Sequence, residues 1–196
     1  MFDPKAVDLS QAALQNPDSL AQQLLAAGAG VDIVLDWSYR SPLFLAVRLG
    51  DLKMVQMLLD AGAEVDAADH GSRSTPLHAA AESGCTEVVQ LLLSAGAKAD
   101  AEDSNHKTPF YVAAAKGRHD VIQLLLAAGV VVDASADESK TSLHAAAKAG
   151  HSQVVQLLLA AGAKVDAAGK CGSTPLIAAA AAGHPEVVHL LLAAGA

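Results

Sequence analysis

Thr141-Ser142-Leu143-His144-Ala145-Ala146 is the stretch that decides the fold, because it returns along the chain in a fixed register. It appears as Ser41-Pro42-Leu43-Phe44-Leu45-Ala46, Thr75-Pro76-Leu77-His78-Ala79-Ala80, Thr108-Pro109-Phe110-Tyr111-Val112-Ala113 and Thr174-Pro175-Leu176-Ile177-Ala178-Ala179. The second position of the motif recurs at spacings of 34, 33, 33 and 33 residues. A second column, Gly28, Gly62, Gly96, Gly129, Gly162 and Gly195, keeps the same register. Two columns in step make an internal repeat, and a period of this length means stacked units, none of which can bury its apolar face alone.

Each copy has a physical grammar. A Thr or Ser hydroxyl caps a helix, and Pro takes the first turn, where its missing N–H costs nothing. A short Ala-rich helix follows, and its small side chains let neighbours approach. Gly50, Gly84, Gly117, Gly150 and Gly183 then allow a tight turn. A second helix carries Val-Val-x-Leu-Leu-Leu, as at Val154 to Leu159, and is apolar on most faces, so both sides must be covered. It ends at Ala-Gly, a left-handed cap. A polar segment with Asp near its start leads to the next copy.

Composition agrees. Ala (43) and Leu (27) supply more than a third of the 196 residues, while aromatics are 3%, which suits closely packed helices rather than a sandwich or barrel. A net charge of −8 argues against a generic nucleic-acid binder, whose footprint is basic. The N-terminus shows no signal peptide or import helix, and apolar windows break well before the ~20 residues a bilayer needs. Cys85 and Cys171 form no motif, so neither a disulfide framework nor a metal site is expected. A reducing compartment follows, the cytoplasm or the nucleus.

The quoted motifs, with Gly150-His151, Gly183-His184 and Ala-Gly-Ala-x-Val-Asp, resemble the ankyrin repeat in order and spacing. The resemblance covers residues 41–74, 75–107, 108–140, 141–173 and 174–196, with an eroded, Gln-rich copy over 8–40 that reads as an N-terminal cap. It implies an all-α class: one domain over 1–196, an ankyrin-repeat solenoid of stacked helix-turn-helix pairs with projecting β-hairpin-like fingers. It also implies structural, hydrogen-bonding roles for His78, His144, His151 and His184. The other histidines, His70, His106, His119 and His189, lack the i, i+4 spacing of metal ligands on a helix. Asp32, Asp66, Asp100, Asp133 and Asp166 form a column, but layers about 10 Å apart are too far for neighbours to share a calcium ion at roughly 2.6 Å. They are expected to bond nearby backbone in turns.

No nucleophile, base and orienter come together in the pattern, and no Walker-type Lys follows a glycine. The expectation is a non-enzymatic module with no cofactor and no metal, binding a protein rather than nucleic acid or membrane. An alternative is a targeting or regulatory piece of a larger enzyme or signalling protein. The resemblance implies binding through finger tips and the exposed ends of first helices. By register these are Trp37, Tyr39, Arg40 and Arg48; His70, Arg73, Glu82 and Ser83; Asn105, Lys107 and Lys116; Asp137, Glu138, Lys140 and Lys148; and Lys170. Eight of the 13 Lys and Arg fall there, so an acidic chain is expected to present a mildly basic groove to an acidic partner segment. The final helix looks internal in composition. The chain is therefore expected to be a monomer or to associate through that end, which also fits a fragment of a longer array.

Overall fold

A computed structural model describes residues 31–32, 40–134, 136 and 140–196. The chain divides into two compact units, Met1–Lys98 and Ala99–Ala196. Among the described residues there are ten α-helices and no strand, the helical content of an ankyrin-repeat solenoid.

The first unit holds α1 (Pro42–Leu49), α2 (Leu52–Asp60), α3 (Pro76–Ser83) and α4 (Thr86–Ser94). The helices pack as pairs, α1 on α2 and α3 on α4, and the pairs stack so that α1 meets α3 and α2 meets α4. The sequence explains each start. Ser41 Oγ accepts the Phe44 N–H at 3.2 Å with Pro42 behind it. Asp51 Oδ1 accepts the Met54 N–H at 3.0 Å and opens α2. Between the pairs Leu43, Val47, Val55, Leu77, Val88, Val89 and Leu92 are fully buried. Each such side chain stabilises by about 1.5–3 kcal/mol relative to exposure.

The second unit holds α5 (Pro109–Ala115), α6 (His119–Ala127), α7 (Ser142–Ala149), α8 (Ser152–Ala160), α9 (Pro175–Ala182) and α10 (Pro185–Ala193). First helices α5, α7 and α9 form one layer, and second helices α6, α8 and α10 the other. The Ala stripe earns its place here: Ala113, Ala114, Ala146, Ala147 and Ala179 are fully buried where first helices meet. Ile122, Leu125, Val155, Leu158 and Leu191 fill the space behind them.

Histidines tie successive pairs of the second unit together. Thr141 and His144 form a capping box, with the Thr141 N–H donated to His144 Nδ1 at 3.2 Å. His144 Nε2 donates to the Ser173 carbonyl at 2.9 Å. His151 Nε2 donates to the Ala115 carbonyl at 3.2 Å, and His184 Nε2 to the Lys148 carbonyl at 3.1 Å. Their rings lie over Gly117 and Gly150, where a Cβ would sit 2.8 Å and 2.6 Å from ring Nδ1. Gly150 is therefore required twice, for its φ of +77° and for the ring that covers it.

The aspartate column acts over a longer range than its expected turn role. Asp32 Oδ1 accepts the Glu64 N–H at 3.0 Å, Asp66 the Lys98 N–H at 3.1 Å, and Asp133 the Lys164 N–H at 3.2 Å. The acceptor reaches the next copy, 31 or 32 residues on, because stacking places that amide within hydrogen-bonding distance.

Candidate functional site

A backbone bond spans the base of each finger. Asp69 N–H donates to the Ser74 carbonyl at 3.0 Å, Asp103 to Lys107 at 3.0 Å, Ala136 to Lys140 at 2.8 Å and Gly169 to Ser173 at 2.8 Å. Inside two of them an aspartate side chain organises the turn. Asp69 Oδ1 accepts the Ser72 N–H at 2.7 Å, and Asp103 Oδ1 accepts those of Asn105 and Lys107 at 2.7 and 2.9 Å. These turns force Arg73 and His106 to φ of +55° and Cys171 to +60°, a region that favours glycine.

In the first unit, Arg48 is exposed at the end of α1, Glu82 and Ser83 at the end of α3, and His70 and Arg73 on one finger. Ser83 Oγ donates to the Ala80 carbonyl at 2.9 Å and so finishes its own helix. Arg40 is half-buried, its guanidinium 5.7 Å from the Phe44 ring centroid, a cation–π contact that ties it to α1. A cleft of about 850 Å³ lies between the second helices α2 and α4 and contains none of the expected residues. Leu52, Met57 and Leu91 line it, together with Lys53 and Glu87. Glu87 sits at the start of α4, where hydrogen bonds from its own backbone N–H and the Thr86 hydroxyl hold its carboxyl below the usual range.

In the second unit, Asn105 is exposed and Lys107 half-buried on one finger, Lys116 is exposed after α5, and Lys170 is exposed in a single 3-10 turn. Lys140 and Lys148 are brought together. They line a cleft of about 360 Å³ between α7 and α9, with Tyr111, His144, Ala145, Ser173, Ile177, Ala178, Ala181 and Ala182. Trp37, Tyr39, Asp137 and Glu138 lie outside the described residues.

Ile177, Ala181 and Tyr111 were not among the expected site residues. Ile177 occupies the column of His78 and His144, which are 2% exposed, yet it is 54% exposed. The signal was an apolar residue standing where a hydrogen-bonded histidine recurs. Both thiols are free, Cys171 being exposed and Cys85 half-exposed. Among the described residues, no group of three or more His, Cys, Asp or Glu is placed to hold a metal, and no helix is long and apolar enough to cross a membrane.

A family model described as ankyrin repeats (3 copies) matches the chain over residues 9–103, 43–136 and 110–196. The chain belongs to the ankyrin repeat family. Ankyrin repeats are in general protein–protein interaction modules, so this ankyrin chain is expected to meet protein partners. No match was found among curated proteins.

Proposed function

We propose that this ankyrin chain is a non-catalytic recognition module that binds an acidic segment of a partner protein through its finger tips and the exposed ends of its first helices. The observation that carries the reading is Lys148, exposed on α7 at the edge of the α7/α9 cleft, with Lys140 at the same cleft and an apolar wall opposite. Cations held beside apolar surface suit recognition of a carboxylate-bearing chain. The fingertip strain points the same way. Arg73 and His106 are held where glycine is at ease, and such strain concentrates at functional sites.

The test is a triple reversal, Arg48→Glu, Lys116→Glu and Lys148→Glu, used against the partner captured by the wild-type chain. All three residues are exposed, so no buried packing is lost, and an unchanged circular dichroism spectrum is the control for folding. Binding weakens at least tenfold, and its dependence on salt flattens, because the attraction between opposite charges is gone. Unchanged affinity and salt slope refute the reading.

A further inference from the structure

The second helices of the first unit carry a surface that finger-tip recognition leaves unused. α2 begins with Leu52 and Lys53. In the later second helices the same two register positions hold Thr86 and Glu87, His119 and Asp120, Ser152 and Gln153, and Pro185 and Glu186. The first position is elsewhere polar or Pro, and the second is an acid or an amide. Among these five helices only α2 places a large aliphatic side chain and a cation there. The helix start does not require them, because Asp51 Oδ1 already caps α2 through the Met54 N–H. Core packing does not require Leu52 either, since it is 42% exposed.

Both side chains line the cleft between α2 and α4. Met57 and Leu91 lie half-buried in it, whereas Lys53, Gln56 and Glu87 are exposed. Lys53 and Glu87 hold equivalent positions, 34 residues apart, and neither is in an ion pair among the described residues. The Thr86 hydroxyl donates to Glu87 Oε2 at 3.1 Å and steadies the carboxylate, which keeps lone pairs for a further donor. Gln56 Nε2 donates to Asp60 Oδ1 at 2.8 Å and so serves its own helix. The cleft thus offers aliphatic surface, one cation and one anion. Its length selects the occupant. α2 and α4 have nine residues each, about 13 Å, and residues i, i+3 or i+4 and i+7 of a helix span about 10 Å along one face. A helix also arrives with its backbone paired, whereas an extended chain lying on two helices finds no backbone edge to bond. A lipid surface is disfavoured, because Lys53 is the only cation lining the cleft and Glu87 offsets it.

We propose that the α2/α4 cleft docks an amphipathic helix of a partner protein, its apolar stripe on Leu52, Met57 and Leu91, with an acidic side chain on Lys53 and a Lys or Arg on Glu87. The surface belongs to second helices, so it is separate from the finger tips and first-helix ends and does not rest on the recognition reading above. Leu52 supplies the contact that a hydroxyl in its place would not. The opposed charges give selectivity, since a helix with its acid and base exchanged meets like charge on both flanks.

A phage library of Ala-rich helical peptides, randomised on one face and its two flanks and selected against the whole chain, tests it. The wild-type chain enriches helices with an apolar stripe flanked by an acid on one side and a base on the other. Leu52→Ser and Lys53→Glu install residue types that Ser152 and Glu87 already carry at these register positions, so the fold accepts them, and an unchanged circular dichroism spectrum is the control. Leu52→Ser lowers binding of the enriched helices at least tenfold. Selection repeated on the Lys53→Glu chain exchanges the acid for Lys or Arg. The proposal is overturned if nothing enriches, or if the enriched helices bind both variants as well as the wild type. It is also overturned if sedimentation shows a wild-type dimer that Leu52→Ser dissolves, because a second copy of the chain then occupies the cleft.

Discussion

Gly150→Ala separates the two demands on one atom. Its φ of +77° costs an L-residue about 1–2 kcal/mol, less about 0.4–1 kcal/mol returned because alanine restricts the unfolded chain. Gly183 has the same φ of +77° and nothing within 4 Å of its Cβ position, so Gly183→Ala incurs that term alone. At Gly150 the new Cβ falls 2.6 Å from Nδ1 and 2.7 Å from Cε1 of His184. The ring must swing away and surrender its 3.1 Å bond to the Lys148 carbonyl. That bond contributes about 0.5–1.5 kcal/mol, and lost ring packing adds to it. Gly150→Ala is therefore expected to destabilise by about 1–2 kcal/mol more than Gly183→Ala. Guanidinium titration followed by far-UV circular dichroism measures both. In a His184→Ala background the cost of Gly150→Ala should fall to the Gly183→Ala value, which closes a double-mutant cycle. Equal losses at the two glycines, or a Gly150→Ala cost that survives removal of His184, would refute the reasoning.

Three further outcomes follow from the same geometry. His144→Ala removes both the capping-box acceptor and the bond to the Ser173 carbonyl. A loss of about 1–3 kcal/mol is expected, with faster amide exchange at Thr141; a loss under half of that range would contradict the tie. Asp66→Ala should cost about 0.5–1.5 kcal/mol in thermal unfolding, while Asp66→Asn keeps an acceptor for the Lys98 N–H and costs less; equal effects would show that the bond is immaterial. Arg73→Gly relieves the left-handed strain at φ +55° and is expected to raise stability by up to about 1 kcal/mol. The same change should weaken partner capture, and a stability gain with full binding would remove Arg73 from the binding face.

The repeat, the helix starts and the glycine turns were legible because each is local chemistry at a fixed spacing. Thr141 caps, Gly150 turns and Leu158 is apolar on a face that must be covered, whatever lies next to them. The destination of a hydrogen bond was not legible. Asp66 reads as a turn residue in sequence, and its partner Lys98 N is named only when copies stack. His184 likewise reads as one half of a Gly-His motif, while its contact with Gly150 exists only across two helix pairs.

The candidate site divides in the same way. Sequence placed Lys140 and Lys148 on the expected face, because their register relative to Thr141 fixes it. It gave no reason to set them apart from Lys116 or Lys170. Stacking made that distinction, since α7 and α9 in contact leave a cleft that those two lysines and Ile177 share. Periodicity determines which side of a helix a residue occupies, whereas a cleft belongs to two helices and depends on how closely their small side chains let them approach.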